Sequence, residues 1–238
     1  MTLSLAGRTS RPREAPAPAV TRSGGFGGTD GLAAWLRAEG CDLLVDATHP
    51  FAAIISRNAA TAAEAAGIPL LALRRPPWTR WDGDRWTEVD TLAEAGRALE
   101  EVAGGRRILV TVGRQELGPF FATAPRRRAY LVRSVEPAAL ATPGVEVTPI
   151  LDRGPFAEED ERALMGREGV AALVTKNAGG MATYGKIAAA RALGLPVIMV
   201  RRPMKPEIAP QVATAAEAVA WIEAHCAASK AAPAAGPA

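Results

Sequence analysis

The chain of 238 residues, 48% hydrophobic and 22% charged, is long enough for one large domain or two small ones and too apolar to stay unfolded. Its net charge of +3 comes from 28 basic and 25 acidic residues, scattered apart from Arg126, Arg127 and Arg128, without the basic stripe and stacking aromatics of a nucleic-acid-binding protein. Cys41, Cys226, His49 and His225 are too few and too dispersed for a zinc, iron–sulfur or disulfide framework, and no apolar run approaches the ~20 residues of a membrane span, so a metal-free cytoplasmic protein is expected.

In chain order, residues 2–6 (TLSLA) read as a short strand running into Gly7, Arg8 and Thr9, and the Pro- and Arg-rich stretch 10–19 as a loop. A second brief strand over 20–23 ends in the turn GGFGG, Gly24 to Gly28. Thr29 or Asp30 caps the helix GLAAWLRAEG, which Gly40 stops. CDLLVDAT (41–48) reads as a buried parallel strand; Pro50 follows, then an Ala-rich helix from Phe51 to Ala66 with Gly67 as its C-cap. IPLLALRR (68–75) is the next strand. The segment 76–90, full of turn formers and carrying Trp78, Trp81 and Trp86, reads as a loop covering the core edge, and TLAEAGRALEEVA (91–103) as an amphipathic helix.

A second series begins with the strand RRILVTVG (106–113) and continues with strands AYLVRSVEP and VEVTPIL. The helix AEEDERALMGREG, the strand VAALVTK with its NAGG loop, the helix MATYGKIAAARALG, the strand LPVIMVRRP and a last helix, TAAEAVAWIEAHCA, complete it. Strands alternating with 10–15-residue helices argue for parallel sheets. The expected fold is α/β, two Rossmann-like doubly wound parallel-sheet halves with a cleft between them. The halves are set at 1–104 and 105–228, with 229–238 a disordered tail. Ligands in such folds bind at the carboxyl ends of strands, which selects a few loops.

Three of these loops carry chemistry. In DATHPFAAIIS (Asp46 to Ser56) a strand end, a His-Pro turn and a helix start coincide; His49 has an ordinary pKa near neutrality, and the helix N-terminus offers N–H groups to an anion. The same residues would also serve as a simple turn cap, with His49 packed. In TKNAGGMATYGK (Thr175 to Lys186) a lysine and an asparagine precede two glycines that allow close backbone approach. No acid lies in that loop, and the nearest in sequence, Glu168 and Glu207, are on other segments. TVGRQELGPF places Arg114, a planar cation suited to carboxylate or phosphate, at a third strand end.

Together the segments SLAGRT, GGFGG, DATHPFAAIIS, RPPW with GDRW, TVGRQEL, LVTKNAGGMATYGK and LGLPVIMVRRP resemble, in order and over residues 3 to about 222, the precorrin-6A reductase family of cobalamin biosynthesis. The resemblance implies a two-domain enzyme that uses NADPH to reduce one double bond of precorrin-6A, or of its cobalt form, to the 6B form. Family members begin with a strand and a turn of the type GGTxEA before the SLAGRT strand; here that strand starts at Met1, and a start codon placed too late is the expected reason.

On this reading Ser4, Arg8 and Thr9, at the end of the first strand present, meet the adenosine ribose and its 2′-phosphate. Gly24, Gly25, Phe26 and Gly27 line the adenine or pyrophosphate region. Asp46, Ala47 and Thr48 approach the nicotinamide side, and His49 is the candidate proton donor. Arg114, Lys176, Asn177, Gly179, Gly180 and Tyr184 form the substrate wall. A tetrapyrrole-binding module without cofactor is the competing reading. A methyltransferase using S-adenosylmethionine would need an acid where Gly7 and Arg8 stand.

Overall fold

The computed structural model describes residues 1–7, 17–105, 107–113, 116–136 and 143–231. The chain opens with strands β1 (Thr2–Leu5) and β2 (Val20–Ser23), helix α1 (Thr29–Ala38), strand β3 (Leu44–Asp46), helix α2 (Ala53–Ala66) and strand β4 (Leu70–Leu73). It continues with β5 (Arg85–Val89), α3 (Leu92–Ala98), β6 (Arg107–Val110), α4 (Leu117–Phe121), β7 (Ala129–Ser134), β8 (Glu146–Leu151), α5 (Glu158–Arg167) and β9 (Val170–Lys176). After a 3-10 turn (Met181–Thr183) come α6 (Gly185–Ala192), β10 (Pro196–Val200), β11 (Gln211–Val212) and α7 (Ala215–Ala231).

These elements form two compact units, Met1–Pro76 with Met204–Ala238, and Pro77–Pro203. In the first unit every strand pairing is parallel, but the strands make two sheets, β1-β2 and β11-β4-β3. Leu32, Ala33 and Leu36 of α1 pack on Ala59 and Ala62 of α2, because α1 turns an apolar face, and α2 an alanine face, inward. Gly67 closes α2 in the left-handed conformation expected of it, at φ 69°.

The second unit holds one fully parallel six-stranded sheet in the order β5-β10-β9-β6-β7-β8. All six residues of β7 are buried, as are Ile108, Leu109 and Val110 of β6 and Leu173 and Val174 of β9. Central strands of a parallel sheet are covered on both faces, and that explains their unbroken apolar sequence. From β6 the chain moves outward to β7 and β8, then returns to β9 on the other side of β6. The sheet therefore reverses direction between β6 and β9, the position where α/β sheets bind ligands.

Three sequence expectations are corrected. Residues 85–89, expected within a loop, form β5, an edge strand parallel to β10. Its alternation is one-sided, with Trp86 and Val89 buried and Arg85, Thr87 and Glu88 exposed, and the turn formers before it mask the pattern. Since β5 joins the six-stranded sheet, the division near residue 104 moves to Pro76/Pro77, and the last helix returns to the first unit. That helix also runs to Ala231, past the expected start of the tail; residues 232–238 lie outside the described residues.

Candidate functional site

In the first unit, the GGFGG turn follows β2 and leads into α1. A Cβ placed on Gly24, Gly25, Gly27 or Gly28 would meet nothing within 4 Å, so the backbone borders open space. Helix α1 starts after Gly28 with no side-chain cap, contrary to the expected capping by Thr29 or Asp30, and its first N–H groups face that space. Gly31 is the exception: a Cβ there would come within 1.7 Å of the Phe26 carbonyl oxygen, so only glycine lets the helix seat against the turn. Arg22 organises the rest. It donates to Ser4 Oγ (3.3 Å) and to the carbonyls of Gly24 (3.0 Å) and Gly25 (2.8 Å), and its guanidinium lies 3.8 Å above the Phe26 ring. Ser4 is thus brought to the GGFGG turn, whereas Arg8 and Thr9 lie outside the described residues.

The DATHPF turn stands at the carboxyl end of β3. Asp46 is buried. Its Oδ2 accepts from Arg74 at 2.5 Å, Arg74 also donates to its backbone oxygen (2.9 Å), and Oδ1 accepts the Thr48 N–H (3.0 Å). Burial alone would raise this carboxyl's pKa; hydrogen bonds from Arg74, Ser56 and Thr48 outweigh it and hold the group at about 2. Thr48 Oγ1 also meets Ser56 Oγ (3.1 Å) and accepts from Lys205 (2.9 Å). Ala47 and His49 are exposed beside this network. The His49 ring is held by the Phe51 N–H, which donates to Nδ1 at 3.2 Å, so in the neutral ring Nε2 carries the proton. His49 is therefore oriented outward rather than packed, while Asp46 and Thr48 do cap the turn.

In the second unit, the ends of β6 and β9 are linked by Thr111 Oγ1 donating to Thr175 Oγ1 (3.0 Å). Lys176 ends β9, buried, and its ammonium is paired with Glu116 of the β6–α4 turn. The expectation of a lysine without a neighbouring acid is corrected: the partner comes from a segment 60 positions away. Arg114, in the same turn, lies outside the described residues. Asn177 is tied to the segment before β5. Its buried amide is engaged at both ends by one residue, accepting the Trp78 N–H (2.8 Å) and donating to the Trp78 carbonyl (2.9 Å). Trp78 Nε1 donates in turn to the Gly180 carbonyl (2.9 Å), and Arg202 donates to the carbonyls of Asn177 (2.9 Å) and Ala178 (3.1 Å).

Three carbonyls of the NAGG loop are thereby turned toward protein donors. Gly179 and Gly180 make this possible with φ of 67° and 78°, a conformation that residues with a Cβ rarely adopt. Tyr184 packs 6.0 Å from Trp78 and 6.4 Å from Trp81, and its hydroxyl accepts from Arg191 (2.5 Å). Beneath this loop Lys186 donates to the Thr183 carbonyl (3.0 Å) and lies 5.0 Å from the Trp78 ring. Burial pushes its pKa down to about 8, with Glu161 pulling it up and Arg133 pushing it further down. Among the described residues no three His, Cys, Asp or Glu side chains come together to hold a metal, and no helix is long and apolar enough to cross a membrane.

Residues 1–223 match the family model described as Precorrin-6x reductase CbiJ/CobK. The chain belongs to this family. A precorrin-6A reductase of Sinorhizobium sp is 52% identical over 219 residues, covering 91% of this chain and 80% of that protein. One from Rhodococcus erythropolis is 48% identical over 219 residues, with 92% and 86% covered. A cobalt-precorrin-6A reductase of Priestia megaterium is 33% identical over 179 residues, with 71% and 68% covered. A solved structure of CobK precorrin-6A reductase superposes with a TM-score of 0.83 at 39% identity, covering 94% of this chain and 86% of that one.

Membership of this reductase family makes the chain an oxidoreductase. Four residues at the strand-end loops escape a reading of the sequence: Arg22, Lys205, Trp78 and Glu116. Arg22 stands just before GGFGG, and its place in β2 was a usable signal. The others reach their loops only through the fold; Trp78 and Asn177 are 99 positions apart.

Proposed function

We propose that the chain reduces precorrin-6A to precorrin-6B with NADPH, in the cytoplasm, as a step of corrin ring synthesis. The observation that carries the cofactor reading is the open cradle of Gly24–Gly28 at the uncapped start of the ten-residue helix α1. Backbone N–H groups at such a start suit a phosphate, and glycines let it approach. The metal-free substrate is favoured over the cobalt form by the relatives: those named precorrin-6A reductase are 40–52% identical, those named cobalt-precorrin-6A reductase 29–33%.

When bound, NADPH supplies a hydride to one double bond of the macrocycle. The protein's own residues do the rest. Ser4, Arg8 and Thr9 hold the adenosine ribose and its 2′-phosphate, and Gly24, Gly25, Phe26 and Gly27 line the adenine or pyrophosphate region. Asp46, Ala47 and Thr48 shape the turn from which His49, protonated to the imidazolium, donates a proton to the carbon next to the one that receives hydride and returns to the neutral ring. Lys176 binds a carboxylate of the ring, with half-exposed Glu116 as the counter-ion that the carboxylate displaces, and Arg114 binds a second. The N–H groups of Gly179 and Gly180 border the same space, while Asn177 and Tyr184 act by holding the loop through Trp78.

Arg8→Ala is expected to weaken NADPH binding by about 1.5–3 kcal/mol, the worth of a charge-assisted hydrogen bond, and to leave NADH binding nearly unchanged. Titration of each cofactor by fluorescence measures both. Equal losses for the two cofactors would remove Arg8 from the 2′-phosphate, and tighter binding of NADH than of NADPH by the unaltered chain would overturn the cofactor assignment.

A further inference from the structure

Residues 201–208 have no regular secondary structure, yet Lys205 within them is half-buried and donates at 2.9 Å to Thr48 Oγ1, 157 positions earlier. A lysine ammonium has donors only, so Thr48 Oγ1 is the acceptor, and its own hydroxyl proton must go elsewhere. Asp46, buried and held well below the usual carboxylate range, accepts from Arg74 and from the Thr48 N–H. With Lys205 donating to it, the Thr48 hydroxyl is free to donate to Ser56 Oγ at 3.1 Å, beside the Asp46–Arg74 pair.

Four segments of the first unit meet here: the end of β3, the first turns of α2, the residue after β4 and the return segment carrying Lys205. What they hold is a short turn outside any helix or strand, and the residue after Thr48 in that turn is His49. On its far side the turn is closed by the Phe51 N–H on His49 Nδ1 and by the Ala52 N–H on the His49 carbonyl (2.8 Å). At Thr48 a side chain from a distant segment thus grips the turn next to the histidine.

We infer that Lys205 is a positioning residue for the reduction: through Thr48 it sets the orientation of the turn that presents His49. The inference rests on the reading of His49 as proton donor. Lys205→Met and Thr48→Val are each expected to lower kcat about 10-fold or more with KM changed by less than about 2-fold, as for a misplaced reacting group. The double variant is expected to be no worse than the poorer single one, because both remove the same bond. Lys205→Arg, which keeps a charged donor, is expected to recover most of kcat.

A second readout is independent of turnover. His49 and His225 are the chain's two histidines, so their ring resonances are easily followed, with His225→Gln to assign them. In Lys205→Met the His49 resonances are expected to move and those of His225 to stay. Unmoved His49 resonances, or fully additive losses in the double variant, would overturn the role of Lys205. If the unaltered chain does not reduce precorrin-6A, the proposed reaction fails, and the resonances still decide whether Lys205 holds the turn.

Discussion

Glu161→Ala is expected to destabilise the second unit by about 3–5 kcal/mol, the cost of leaving a buried ion without its partner. Glu161 of α5 and Arg133 of β7 are 2.7 Å apart, with side chains only 2% and 5% exposed. Arg133 is further boxed in by the Phe156 ring, 4.3 Å from its guanidinium carbon. Lys186 of α6 is buried within reach of both charges. Removing the carboxylate leaves the buried Arg133 guanidinium without the partner that offsets its charge. Equilibrium denaturation of the variant measures the loss; a change below about 1 kcal/mol would mean that water reaches the cluster and screens it.

The same cluster predicts a pH dependence. Lys186 has a folded pKa of about 8, below its ordinary 10.5, because burial disfavours its charge. The folded chain therefore binds fewer protons than the unfolded one between these values, and the stability linked to this group rises with pH across that window. It is fully present above 10.5 and is lost as pH falls to 8. In Glu161→Gln the carboxylate no longer pulls the lysine pKa up, so the window is expected to open at lower pH. Parallel stability curves for the two proteins would show that Lys186 and Glu161 are not coupled.

His49→Ala is expected to lower kcat about 100-fold or more, the usual contribution of a positioned general acid, and to change stability by less than about 0.5 kcal/mol. The second expectation follows from exposure: the ring touches Phe51, 5.8 Å between centroids, and lies outside the core clusters. The first follows from its place on an exposed turn at the carboxyl end of β3, where the imidazolium can give up a proton and return to the neutral ring that accepts from Phe51 or solvent. Single-turnover kinetics beside a melting curve separate the two. A variant with full activity would give the proton to solvent or to a carboxylate of the substrate.

The central strands of the six-stranded sheet were legible because burial on both faces demands unbroken apolar runs, as in RRILV, AYLV and VAALV. β5 was not legible, since an edge strand buries only Trp86 and Val89, and β11 was too short to show any pattern. At the loops, glycine and histidine announced themselves by type. Pairings did not, because they depend on which strands lie side by side. Lys176 meets Glu116 only because β9 returns next to β6, and the closure of the Asn177 amide on Trp78 joins residues 99 positions apart. A polar residue at a strand end thus marks a site without saying whether it touches the ligand or holds the wall.

The most direct test of the account follows the hydride itself. The purified chain is incubated without oxygen with precorrin-6A and NADPH carrying deuterium at its transferable position, and the macrocycle is weighed by mass spectrometry. The product is expected to gain one deuterium from the cofactor and one hydrogen from solvent while NADPH is oxidised in equal amount. A macrocycle that binds but gains no deuterium, with NADPH left intact, would contradict the reductase reading and leave a binding module in its place.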